Sequence, residues 1–164
     1  MGNTTFTGPI QAGNVLQSDG TGNLAGVGGY NGTANVGYCV MAQSQVVTQA
    51  TNGTVAGVYT TAIVIPAQSQ ILSITLAVST GWTGAAKTLG IGDTASATAF
   101  TTATAVDGTT AGFVAVTPGT GATQIANWQD VGDTDVQIVV TSTNTGSGVG
   151  SLTVTYIQSN NLIS

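Results

Sequence analysis

Residues 70–80 read Gln70-Ile71-Leu72-Ser73-Ile74-Thr75-Leu76-Ala77-Val78-Ser79-Thr80. Leu72, Ile74, Leu76 and Val78 alternate with Ile71, Ser73, Thr75, Ala77 and Ser79. A period of two is the repeat of an extended strand, whose successive side chains point to opposite faces. The stretch is expected to be a strand with Leu72, Ile74, Leu76 and Val78 on the buried face.

The flanking sequence repeats the theme. Upstream, Val36–Thr48 and Val55–Ile65 are rich in Val, Ile, Tyr and Thr, and the second meets Pro66. Downstream, Thr88–Ile91 ends at Gly92-Asp93, and Gly112–Thr117 stops at Pro118-Gly119. Val136–Thr141 and Leu152–Ile157 close the series. Turn-forming Gly, Asn, Asp and Pro separate these runs. Seven or eight short strands with polar turns predict an all-β fold, a jelly-roll-like β-sandwich. No segment carries a helical stripe. Residues 94–106, rich in Ala and Thr, are the one ambiguous stretch. Trp82 and Trp128 are expected to cover sandwich ends or subunit seams.

Residues 1–35 differ from residues 36–164. Gly8-Pro9, Asp19-Gly20, Gly22-Asn23, Gly28-Gly29 and Asn31-Gly32 interrupt the segment every few residues. Its apolar residues are sparse, and alone it would bury too little surface to offset its ordering entropy. It reads as an extended N-terminal arm that orders on a neighbour, followed by the sandwich domain. Phe6, Pro9, Ile10, Val15 and Leu16 are the apolar groups that a solvated tail has no reason to keep.

Charge sets the chemistry. The 164 residues include one Lys, no Arg, no His and six acids, all Asp; charged residues make up 4%, against roughly 25% in an average domain. A surface so poor in charge suits either its solvent or burial against other subunits, where charges cost desolvation energy. With a net charge of −5 and a single cation, the chain is not expected to bind nucleic acid or anionic lipid. No apolar run spans a bilayer, and the first residues lack the pattern of a signal peptide.

Catalytic constellations are missing. Without His there is no His-based triad or dyad, and the lone Cys39, in an apolar run, has no base to make it a nucleophile. One Cys cannot build a zinc site. Gly81-Trp82-Thr83-Gly84-Ala85-Ala86-Lys87-Thr88 approaches a P-loop, but Ala86 stands where Gly is needed and the segment lies between strands. Asp130, Asp133 and Asp135 form the one acidic cluster, a place where Ca²⁺ could pin a loop. No cofactor is expected, and no enzymatic activity.

Several stretches, in their order along the chain, are similar to virion proteins of tailed bacteriophages. Thr4-Thr5-Phe6-Thr7-Gly8-Pro9-Ile10 resembles the start of many phage structural proteins, and Asn14–Gly22 resembles segments of phage fibres. Ile63-Val64-Ile65-Pro66-Ala67, Ile71–Val78, Leu89-Gly90-Ile91-Gly92-Asp93 and Gly148–Ile157 resemble head decoration domains. The resemblance implies a decoration or cement protein on the capsid exterior of a virion. Its partner would be the major capsid protein, its assembly a homotrimer, and its capsid-contact residues the arm's Phe6, Pro9, Ile10, Val15 and Leu16. A receptor-binding fibre or adhesin module is the alternative.

Overall fold

The computed structural model describes residues 39–49, 58–84, 87–142 and 146–158. The strands are β1 (Cys39–Thr48), β2 (Val58–Ile65), β3 (Ser69–Thr80), β4 (Thr88–Asp93), β5 (Val106–Asp107), β6 (Gly112–Val116), β7 (Val136–Ser142) and β8 (Val149–Gln158). One helix, α1 (Ala122–Gln129), lies between β6 and β7. Two four-stranded sheets form, in the orders β1-β8-β3-β6 and β2-β7-β4-β5.

The pairing is nested. β1 lies beside β8, β2 beside β7, β3 beside β6 and β4 beside β5. The chain is therefore one long hairpin whose tip is β4–β5. Folding that hairpin over adds the contacts β8–β3 and β7–β4, which convert it into two stacked sheets. This is the jelly-roll arrangement expected of the sequence.

The core lies between the sheets. Ile71, Ile74, Leu76 and Val78 of β3 meet Leu152, Val154 and Tyr156 of β8, Ile63 and Ile65 of β2, Leu89 and Ile91 of β4, and Ile138 and Val140 of β7. On β8 the alternation is clean: Gly150, Leu152, Val154 and Tyr156 are buried while Ser151, Thr153 and Thr155 are only half-buried.

Strand β3 corrects the expectation for Leu72. Ile71 pairs with Tyr156 and Ser73 with Thr155, leaving Leu72 without a partner. The extra residue makes a β-bulge, which shifts the phase of the alternation. Ile71 is buried, and Leu72, expected inside, is 44% exposed.

At one end of the sandwich the buried Gln49 joins three segments. Its carboxamide accepts from Thr83 N (2.9 Å) and Gly148 N (3.1 Å) and donates to Thr83 O (2.8 Å). Trp82 is buried beside it, and a Cβ at Gly108 or Gly148 would run into its indole. At the other end, Gln68 N donates to Gly132 O (2.7 Å) and Val131 N to Ser69 O (3.0 Å).

Helix α1 is a second correction, since no helix was expected. It buries no residue fully, so it has no apolar stripe for periodicity to detect. It is held instead by polar groups three and four residues apart: Gln124 Nε2 donates to Thr98 O, Asn127 Nδ2 to Ala99 O and Trp128 Nε1 to Phe100 O, at 3.0, 3.0 and 3.1 Å. Gln124 Oε1 also accepts from Gly121 N (3.1 Å), satisfying a free N–H at the helix start. Residues 94–105 are turns rather than helix, opened by Asp93 Oδ1 accepting from Ala95 N (2.9 Å) and Ser96 N (2.6 Å).

These turns lie against the outer face of β4. A Cβ at Gly90 would come within 2.9 Å of Ala103 Cα, and one at Gly92 would meet the Ser96 and Ala97 backbone. Val139, opposite Gly92 on β7, is 2% exposed, and Thr141 Oγ1 donates to Ala97 O (3.3 Å). Gly92→Ala is therefore expected to cost about 1–3 kcal/mol in denaturant unfolding, the usual range for overpacking. A change below about 0.5 kcal/mol would mean that the segment yields freely.

Candidate functional site

The sequence-predicted contact residues Phe6, Pro9, Ile10, Val15 and Leu16 lie outside the described residues, as does the boundary between arm and sandwich. The side chain of Cys39 is outside them too. The near P-loop leads into strand β4 rather than a helix, so it lacks the helix N-terminus that cradles phosphate. Asp130, Asp133 and Asp135 do not converge. Asp130 Oδ1 accepts from Gly132 N (2.9 Å) and Asp135 Oδ1 from Ala67 N (3.0 Å). Among the described residues no three acid, Cys or His side chains are placed to hold a metal ion together. Trp82 belongs to the core and Trp128 packs against it half-buried.

What the fold does build is a surface: the outer face of the β1-β8-β3-β6 sheet. Its rows follow from register. Thr153 of β8, Thr75 of β3 and Ala115 of β6 lie side by side, and so do Ser151, Ala77 and Phe113. Ser44 extends both rows onto β1: its Oγ lies 3.0 Å from Ser151 Oγ and accepts from Thr153 Oγ1 at 2.9 Å. Apart from Phe113 these two rows carry only Ser, Thr and Ala, so the face is flat there and close to the backbone. Small side chains lose little rotamer entropy when a partner covers them.

No strand of this sheet carries a Lys, Arg, Asp or Glu. The charges of the described residues fall elsewhere: Lys87 before β4, Asp93 and Asp107 in β4 and β5, and Asp130, Asp133 and Asp135 between α1 and β7. Large apolar groups are exposed on three strands of this sheet, Leu72 of the inner strand β3 among them at 44%. Phe113 on β6 is 89% exposed, while Val40 and Val46 on β1 are 63% and 58% exposed. Gly112–Val116 alternates Phe113 and Ala115 with Val114 and Val116. The signal was present, because Val114 and Val116 together outvote the single Phe113 for the inner side.

The sheet's two edges are finished differently. Beside β1, the carboxamides of Gln43 and Gln45 bond to the free edge of β2. Gln43 donates to Val64 O (2.6 Å) and accepts from Val64 N (3.1 Å), and Gln45 accepts from Ala62 N (2.5 Å). The amide groups act as a surrogate strand and block that edge from foreign pairing. At the other side, β6 is a five-residue edge with neither charge nor Pro.

The one described cation–anion neighbourhood is Asp107 with Lys87. The Asp107 carboxyl is held below its ordinary value, first by hydrogen bonds from the Thr109 side chain and backbone, the latter at 2.8 Å, and least by Lys87; burial opposes. A lowered folded-state pKa contributes stability above the unfolded value of about 3.9, lost as pH falls through the folded value. Asp107→Ala should lower the melting temperature at neutral pH, and the gap should close in acid. An equal gap in both conditions would contradict the assignment.

No family model and no curated protein matches the chain. A chain of the solved Cyanophage Pam1 capsid asymmetric unit aligns with 87% of this chain and 98% of its own length, at 22% identity and a TM-score of 0.36. An overlap that loose carries no argument about fold or function. The stretches that resemble head decoration domains fall largely in β2, β3, β4 and β8.

Proposed function

We propose that this chain is a capsid decoration, or cement, protein. In this reading it is a homotrimer on the exterior of a tailed-phage head, binding the major capsid protein across subunit seams. The observation that carries the reading is the flat, uncharged outer face of the β1-β8-β3-β6 sheet. Such a face is poorly suited to keeping a free monomer apart from its neighbours. It is well suited to burial against protein, because no ionised group has to be stripped of water. The residue pieces that resemble head decoration domains support the same reading.

The physics of the role is linkage. A protein that binds the assembled lattice and not its separated subunits stabilises the lattice by its binding free energy. Three arms on one trimer convert weak single contacts into a firm attachment through effective concentration. In this scheme residues 1–35 reach across the shell, with Phe6, Pro9, Ile10, Val15 and Leu16 as anchors, and the sandwich caps the seam.

Two measurements test this. Quantitative mass spectrometry of the particle should find copies of the chain comparable in number to the major shell protein. A handful per particle would favour the fibre or adhesin reading, and absence would overturn both. Deleting residues 1–16 should abolish binding to the shell and leave a cooperative melting transition; retained binding would refute the arm's role.

A further inference from the structure

Each sheet has two edge strands, and β6 is the one left open. The edges of β1 and β2 are joined by the carboxamides of Gln43 and Gln45, and β5 is only two residues long. On β6, Gly112-Phe113-Val114-Ala115-Val116 pairs with β3 on one side. Among the described residues no strand pairs with its other side. Gly112, Phe113 and Ala115 are exposed. Natural edges are usually blunted by Lys, Pro or a covering segment. This one carries instead a nearly bare phenyl ring, Phe113 at 89% exposure.

An open edge accepts an extended strand, and β6 of a second copy fits it. Turned about a two-fold axis through Val114, two β6 strands run antiparallel. Val114 then lies opposite Val114, Phe113 opposite Ala115 and Gly112 opposite Val116. Such an axis pairs even positions with even and odd with odd. Outward-pointing N–H and C=O groups therefore meet outward-pointing ones, and each sheet face continues into the same face. All five residues of the strand are paired; an axis through Phe113 or Ala115 would pair fewer of them. The side chains match as well. Each Phe113 ring falls beside a methyl group, that of Ala115 in the other copy, and Thr75 and Thr153 continue that row. On the inner face the buried Val116 meets Gly112, which adds no bulk. Each copy has a net charge of −5, yet neither β6 nor β3 carries a charge, so no like charges meet within the paired strands. A foreign peptide could take the same backbone hydrogen bonds, but the match of Phe113 to Ala115 selects a second copy.

We propose that β6 is a self-pairing edge: two copies join about a two-fold axis at Val114, their four-stranded sheets becoming one continuous sheet, and each Phe113 covers Ala115 of the partner subunit. A strand that pairs with itself makes an isologous contact, which closes after two copies. The inference is independent of the proposed function. Where the trimer of that reading forms, the same edge joins a copy in one trimer to a copy in the next.

The test uses the full chain. Cys39→Ser removes the native thiol. In that background Val114→Cys should oxidise to a disulfide-linked pair, because residue 114 faces itself across the axis at a Cα spacing of about 4.5–5.5 Å, which a disulfide accepts. Ala115→Cys is more exposed and would be favoured by random collision. In the paired strands, however, its two copies lie roughly 8 Å apart, so it should cross-link at least ~10-fold more slowly. In the chain with Cys39 retained, Phe113→Glu should melt like the wild type and sediment at half the wild-type mass at equal concentration. Equal masses overturn the proposal, as does an Ala115→Cys that cross-links as fast as Val114→Cys. If Val114→Cys fails to melt cooperatively, the mass ratio alone decides. A chain that is absent from virus particles but keeps this ratio would sink the cement reading and leave the edge contact standing. A particle-bound chain without it would do the reverse.

Discussion

A chain with one Lys, six Asp and no other charged side chain must meet its polar obligations with neutral hydrogen bonds, and carboxamides carry much of that load. Gln43 and Gln45 close the gap between the edges of the two sheets. Gln49 ties three segments at one end of the sandwich, and Gln124 with Asn127 fastens α1 at the other. An amide both donates and accepts, so one side chain can bond to a backbone N–H and C=O together, as a neighbouring strand would. Among the described residues this is how neutral side chains fix the fold's register.

The same economy explains why the two sheets differ. The β2-β7-β4-β5 sheet is covered on part of its outer face by residues 94–105, a seat made possible by Gly90 and Gly92. It also keeps Asp93 and Asp107. Among the described residues the β1-β8-β3-β6 sheet carries no charge, and its exposed large side chains include Phe113 on β6, Leu72 on β3 and valines on β1. One face is finished by the chain itself, and the other presents its small polar side chains outward. The nested pairing makes this division possible, because β1, β3, β6 and β8 come from four separated parts of the chain and still line up in one surface.

Much of the fold was legible in the sequence because a half-buried strand writes its burial in alternation. Strands β3 and β8 were plain for that reason, and the jelly-roll expectation followed from the number and spacing of such runs. The misses have physical causes. Leu72 faces out because a bulge shifts the phase of β3, and a phase shift leaves composition unchanged. Helix α1 is held by Gln124, Asn127 and Trp128 on backbone carbonyls, so it has no apolar stripe. Strand β5 has two residues, too few to show any period. The open face was half legible: absence of charge was visible in the composition, but its gathering on one sheet depends on which strands become neighbours.

If the proposed function holds, the β1-β8-β3-β6 face is free of charge because protein covers it. The direct measurement compares Thr75→Lys, in the middle of that face, with Thr60→Lys, exposed on β2, for binding to particles depleted of the protein. Thr75→Lys should lose binding while Thr60→Lys binds as wild type does, both remaining folded. Equal binding by the two variants would show that the missing charge reflects only the solvent the protein lives in.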